Sequence, residues 1–302
     1  MKRFLFSVTA AALALVSCMK EPAVAGGSEV EVSFSALLED AMTTRAAYSD
    51  GSQAVKLTYY VYGELNGEST LIPNLTGTVP VAGGTANVSL KLINGKSYSI
   101  FFWADAKGLG AEGNPFSYQA DLKTVVVDYN GAQSQDESRD AFYGYVGSYT
   151  ANGPASNKVV LKRPFAQINI GTDDMGGEGV DGFVPASAKM TVSGVSETLN
   201  VATGVTGEEN AEVTFSAAAI PSGEAFPVPG YNYIAMNYVL ASAEKTTVDV
   251  KLDCGAASGV MEFSNIPVQR NYRTNIYGSL FTSKNDWEVE IDPEYVWNGT
   301  AT

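Results

Sequence analysis

The chain is built from short runs in which apolar and polar residues alternate, with turn-forming residues between them. Val30-Glu31-Val32-Ser33-Phe34 is the first. Leu57 to Tyr62, Val88 to Leu92, Tyr98 to Trp103, Lys123 to Tyr129, Val159 to Lys162 and Gln167 to Ile170 follow. The second half adds Ala188 to Val192, Glu212 to Ala217, Tyr231 to Leu240, Thr247 to Leu252, Gly259 to Phe263 and Trp287 to Ile291. A repeat of two places alternate side chains on opposite faces of a strand. Val, Ile, Thr, Tyr and Phe dominate the runs, as a half-buried pleated surface favours. Asn94-Gly95 lies between two runs and predicts a hairpin turn. Asp136 to Phe142 is the one weak candidate for a helix. Many short strands with turns at regular spacing predict an all-β protein of two tandem Greek-key-like β-sandwich domains. The polar stretch Thr150 to Asn157 reads as a linker, dividing the body into 46–157 and 158–302.

The N-terminus has a different pattern. Lys2 and Arg3 precede an unbroken apolar run from Phe4 to Val16. That is the length of an export signal and too short to span a bilayer. Leu15-Val16-Ser17-Cys18 resembles the cleavage site of bacterial lipoprotein signals. The resemblance implies removal of residues 1–17, diacylation of Cys18 on sulfur, and a tether at the outer membrane. Cys254 is then left with no partner for an intrachain disulfide, and reads as a small buried filler.

Composition narrows the chemistry. The 302 residues hold no histidine, which excludes a Ser-His-Asp triad, a Cys-His dyad and His-ligated zinc or haem. A net charge of −14 is the wrong sign for a nucleic-acid partner. Gly108-Leu109-Gly110-Ala111-Glu112-Gly113 matches a phosphate-loop pattern, but Asn114-Pro115 follows where a helix should start, so a surface loop is expected. Asp173 to Asp181 is an acidic glycine loop without the ligand spacing of an EF-hand; calcium there stays an open alternative to a solvated loop. Tyr143, Tyr145 and Tyr149 form an aromatic stretch that could stack on a sugar or serve as core. No carboxylate pair is marked as an acid and base. The expectation is a protein without cofactor, metal or catalytic residues.

Three stretches carry a resemblance. They are Leu161-Lys162-Arg163-Pro164-Phe165-Ala166-Gln167-Ile168-Asn169, Ile266 to Gly278 with its Arg270-Asn271-Tyr272-Arg273-Thr274-Asn275 centre, and Trp287 to Pro293. With the export signal they resemble the fimbrillin-like lipoproteins of Bacteroidales-type bacteria, the subunits of type V pili. The resemblance implies two β-sandwiches in series, and lipid-anchored export to the cell surface. It further implies proteolysis after an arginine and insertion of a strand from the next subunit. On this chain Arg45, followed by Ala46, matches the processing position, and the segment 18–45 would be removed. The departing first strand would be Val30, Val32 and Phe34. The candidate donor strand is Trp287, Val289 and Ile291, which reads equally as the last strand of its own sandwich. The implied partners are other pilin subunits and the outer membrane through the lipid on Cys18. The other class of reading is an anchored lipoprotein that keeps its first strand and binds a host glycan or protein.

Overall fold

The computed structural model describes residues 27–39, 48, 50–65, 68–119, 123–255, 259–283 and 286–292. Alternation is obeyed from the start. Strand β1 (Glu29–Leu38) buries Val32, Phe34, Ala36 and Leu38 and turns Glu31, Ser33 and Ser35 outward. The first half continues with β2 (Lys56–Leu65), β3 (Glu68–Leu71), β4 (Gly77–Pro80), β5 (Thr85–Ile93), β6 (Ser97–Asp105), β7 (Phe116–Tyr118), β8 (Thr124–Val127) and β9 (Phe142–Thr150). Strand β10 (Ala155–Leu161) leads to β11 (Phe165–Thr172), β12 (Ser187–Val195), β13 (Thr198–Asn200), β14 (Ala211–Ala219) and β15 (Asn232–Leu240). The last are β16 (Thr246–Asp253), β17 (Val260–Val268), β18 (Arg273–Gly278) and β19 (Trp287–Asp292). The fold is all-β, as the alternation predicts. Asn94-Gly95 makes the β5–β6 hairpin, with Gly95 at φ 76°. Asp136 to Phe142 forms only a single 3₁₀ turn, Glu137–Arg139, whose cap Asp136 accepts from the Ser138 N–H. Phe142 already starts a strand.

Two pairs of sheets make two sandwiches. In the first, β10-β1-β5 faces the sheet β3-β2-β6-β9, to which β4 adds beside β2. Phe34, Leu57, Val88, Leu92, Ile100, Phe102, Phe142 and Leu161 fill the space between them. In the second, β15-β11-β18-β19 faces β14-β12-β16-β17. Met190, Val192, Ile168, Ile170, Val250, Phe263 and Ile276 lie in its core.

The stretch 150–157 closes β9 and opens β10, and β10 runs through the expected boundary at 157/158. The two sandwiches are also fastened directly. Strand β8 pairs with β13 across the halves. Residues 132–135 bond to Ser216 of β14 and Met236 of β15, sealing one open edge of the second sandwich. A line of rings, Trp103–Phe116–Phe165–Tyr238, crosses the junction at centroid separations of 5.3, 5.7 and 6.4 Å.

Candidate functional site

The candidate site is set by where β1 lies. It is the middle strand of its sheet, parallel to β10 from Val32↔Ala155 to Leu38↔Leu161 and antiparallel to β5 from Glu29↔Ile93 to Leu37↔Thr85. Among the described residues β5 and β10 do not pair with one another, and β1 joins them. Strands in a sheet are about 4.8 Å apart, so lifting β1 out leaves a slot about 10 Å wide and, for ten residues, about 33 Å long. The floor of the slot is apolar. Phe34 is 1% exposed, with its ring 6.1 Å from Phe102 and 5.3 Å from Tyr149. Val32 is 0%, Ala36 1% and Leu38 5% exposed. The slot therefore asks for a large ring at the position of Phe34, a small group two residues later and aliphatic groups on either side. Burial of Val32, Phe34 and Leu38 contributes about 5–9 kcal/mol. Gly144 leaves room for the Leu161 side chain of the β10 wall, because a Cβ there would meet its Cδ2 at 2.5 Å and push it aside.

The lipidation position Cys18 and the processing pair Arg45-Ala46 lie outside the described residues. Val32 and Phe34 are core; Val30, at the strand's start, is half-buried.

Trp287, Val289 and Ile291 form the inward parity of β19, an edge strand paired only with β18, from Gly278↔Trp287 to Arg273↔Asp292. Trp287 packs edge-on against Phe263 at 5.3 Å, yet Val289 is 38% exposed and no residue of β19 is fully buried. Its outward residues Glu288, Glu290 and Asp292 charge the edge and discourage casual pairing.

The three tyrosines do not gather. A β-bulge at Gly147-Ser148, with Ser148 at φ 53°, inserts an extra residue opposite Ser99. Tyr143 and Tyr145 therefore face outward from the first sandwich, and Tyr149 faces inward against Phe34. Tyr143 is buried and its hydroxyl accepts from Arg270 Nη1 at 2.7 Å. Tyr145 stays 38% exposed, 4.8 Å from Phe101.

Other motifs are structural. The glycine loop wraps the buried carboxylate of Asp105, which accepts from the N–H groups of Lys107 and Gly108 and from Asn114 Nδ2. Asp174 accepts from Thr172 Oγ1, the Phe281 N–H, and the N–H and hydroxyl of Thr282, tying the acidic loop to residues 281–282. Among the described residues no group of three or more His, Cys, Asp or Glu could hold a metal. None of the described helices is long and apolar enough to cross a membrane.

Arg163 is fully buried and clamps Asp140 bidentately, Nε to Oδ1 at 2.6 Å and Nη2 to Oδ2 at 2.8 Å. It reaches Asn271 Oδ1 at 3.2 Å and lies over the Phe142 ring. Arg270 bonds Tyr143 and the carbonyls of Gly204 and Ala241. The arginines of the two recognisable stretches thus hold the sandwiches together.

Sequence reasoning missed a polar row. On the outer face of the second sandwich, Gln167 stands beside Arg273 and Asn169 beside Asn275, with Asn169 Nδ2 donating to Asn275 Oδ1 at 2.9 Å. All four are buried. Alternation as in Gln167-Ile168-Asn169-Ile170 signals a wet outer face. Only a second layer of chain over the sheet, invisible in a local pattern, reverses that.

The fold and the lodged strand define an all-β double-sandwich protein with a single strand spliced between two others. The family of unknown function DUF6562 matches residues 23–301, and the chain belongs to it. No curated protein matches the sequence. Among solved structures, a candidate polysaccharide-binding protein of Bacteroides thetaiotaomicron is 12% identical, with 88% of this chain and 96% of that one covered and a TM-score of 0.54. A candidate adhesin of the same species is 14% identical, with 89% and 98% covered and a TM-score of 0.52. The tip fimbrial protein Mfa3 of Porphyromonas gingivalis is 11% identical, with 87% and 99% covered and a TM-score of 0.48. At such identities the likeness is one of fold.

Proposed function

We propose that this protein is the precursor of a surface fimbrial or adhesin subunit that assembles by strand replacement. The observation that carries the reading is the position of β1, buried between β5 and β10 as the one strand that bridges them among the described residues. A strand so placed can be exchanged for another without rearranging the rest, because the slot keeps both its walls and its floor. The chain would reach the outer membrane by the lipid on Cys18 and be cut after Arg45, freeing segment 18–45. It would then accept a strand running parallel to β10 from another subunit. The body divides into the two sandwiches, with the processing segment ahead of the first.

The donor in this account is the C-terminal strand of a neighbouring copy or a related subunit. Detaching β19 gives up one ladder, the Trp287–Phe263 contact, the Arg273–Asp292 ion pair and the Tyr277–Glu288 hydrogen bond, whereas β1 gives up two ladders and four core side chains. Edge strands with little burial open first. Replacing Arg45 by Ala is expected to leave an anchored monomer on the cell surface. Normal polymers from that variant would remove proteolysis from the account.

A second reading rests on Tyr145, half exposed beside Phe101, and on the relative described as a candidate polysaccharide-binding protein. In it the protein keeps β1 and binds a glycan. Tyr145→Ala would then abolish glycan binding while leaving the anchored protein folded. The chemistry in both readings is done by processing enzymes, and this chain supplies surfaces.

A further inference from the structure

The body of the chain keeps its arginines out of reach. Four lie among the described residues: Arg139, Arg163 and Arg273 are buried, and Arg270 is half-buried. The described lysines are exposed apart from half-buried Lys123, and Lys162 stands exposed directly before buried Arg163. Arginine suits a buried ion pair better than lysine does, which accounts for a fastener such as Arg163. It does not account for the turns. Lys96, Lys107 and Lys245 are exposed in connecting segments, and no described turn carries an exposed arginine. Exposed turns are where a protease cuts, because it needs the side chain in its pocket and unpaired backbone around it.

Arg139, Arg163 and Arg270 all lie between strands, so contacts rather than ladders hold them. Arg139 Nη2 donates to the Asp128 carbonyl at 2.5 Å, and its guanidinium lies over the Tyr129 ring. The Tyr129 hydroxyl accepts from the Leu240 N–H of β15. Arg270 reaches across to Tyr143 of the first sandwich. Arg163 bonds the residue that follows each of the other two: Asp140, bidentately, after Arg139, and Asn271, at 3.2 Å, after Arg270. One guanidinium therefore pins the Arg139–Asp140 and the Arg270–Asn271 bonds together. Arg163 is itself followed by Pro164, whose ring lacks an N–H and fits poorly after a scissile bond. Arg273 opens β18, which is paired on both sides, to β11 and to β19.

We propose that the junction is a fold check on maturation by an arginine-directed protease: docking of the two sandwiches shelters the Arg139–Asp140 and Arg270–Asn271 bonds, so a docked subunit passes whole and an undocked one is cut there and lost. Hydrolysis at either bond takes up one water and leaves a carboxylate on the arginine and an ammonium on Asp140 or Asn271. The inference deepens the processing reading and rests on it, since that reading supplies the protease. A chain that opens transiently is cut in proportion to its open population, so the check reads the docking equilibrium directly.

The test exposes the purified full chain to an arginine-specific endoprotease under native conditions, with fragments read by intact mass and N-terminal sequencing. The folded parent should give no fragment starting at residue 140 or 271, whereas the urea-unfolded chain gives both. Tyr143→Phe with Asn271→Gly removes two partners at the junction, and glycine keeps the φ of 60° at position 271. This double variant should be cut after Arg270 at least tenfold faster than the parent, with Arg139 still spared because Asp140 keeps its clamp. Val250→Ala thins the core of the second sandwich and leaves the junction alone, so it measures the effect of lost stability by itself. Cleavage of the folded parent at either bond, or a double variant cut after Arg270 no faster than Val250→Ala, overturns the inference. Should the double variant fail to fold, Asn271→Gly alone decides by the same comparison. The two readings fail separately. Cells that never cut after Arg45 refute the processing, whereas cleavage of the folded body refutes only the shelter.

Discussion

Phe34 is the side chain on which strand retention turns, and Phe34→Ala is the sharpest perturbation of the slot. The ring is 1% exposed and packs between Phe102 and Tyr149. Removing a fully buried Phe costs about 3–5 kcal/mol, the transfer loss and the cavity together. Ser33 sits next to it on the same strand but faces outward, its hydroxyl donating to Ser156 Oγ at 3.0 Å at the surface, so Ser33→Ala should cost under about 0.5 kcal/mol. The assay begins with the full chain, nicked after Arg45 in vitro, in which β1 is held by non-covalent contacts alone. Its departure is followed by size exclusion and intact mass. If the lost contacts are absent at the barrier, 3–5 kcal/mol speeds release by roughly a hundred- to a few-thousand-fold. Ser33→Ala should leave at the parent rate. Equal release from the two variants would refute the claim that the inward face of β1 holds it in place.

Three further predictions follow from the geometry. Arg163→Met leaves the Asp140 carboxylate buried without its partner and should cost about 3–5 kcal/mol in urea unfolding, while Arg163→Met with Asp140→Leu should recover most of it. Burial, and then Asp253, push the Cys254 thiol up to about 12, above its ordinary 9.0. The folded protein should therefore resist iodoacetamide at pH 8 until unfolded, and the stability the neutral thiol contributes, full below about pH 9, should fall as pH rises from 9 towards 12. Partial burial raises the Asp174 pKa, but the donors of Thr172, Thr282 and Phe281 outweigh it and hold the carboxyl below its ordinary 3.8. Its contribution is present above that value and lost as pH falls through the lowered one, so Asp174→Asn should flatten this part of the acid limb in a thermal melt series.

The strands were legible because each has one buried face, and a period of two records that directly. Strand β1 is the clearest case: Val32 and Phe34 alternate with Glu31 and Ser33, and the structure buries the first pair. Its place between β5 and β10 could not be read from the chain, since pairing over about 50 residues to β5 and more than a hundred to β10 leaves no local mark. Tyr149 shows the limit of parity. One extra residue at Gly147-Ser148 turns it from the face of Tyr145 to the face of Phe34. Gln167 and Asn169 show another, because alternation reports a polar face without reporting what covers it. The stretch 150–157 has linker composition yet feeds a paired strand. Its turn residues serve the bend between β9 and β10, and Ala155 to Leu161 then find their partner in β1. Arg163 and Arg270 were visible as part of a recognisable motif, but their role as fasteners needed Asp140 and Tyr143 brought close by the fold.

The central claim is that β1 is a temporary occupant of its slot. N-terminal sequencing with intact mass, on protein released from the native cell surface, tests it most directly. The account predicts a chain beginning at Ala46, without lipid and without the β1 peptide. A lipidated chain beginning at Cys18 throughout the population would contradict it.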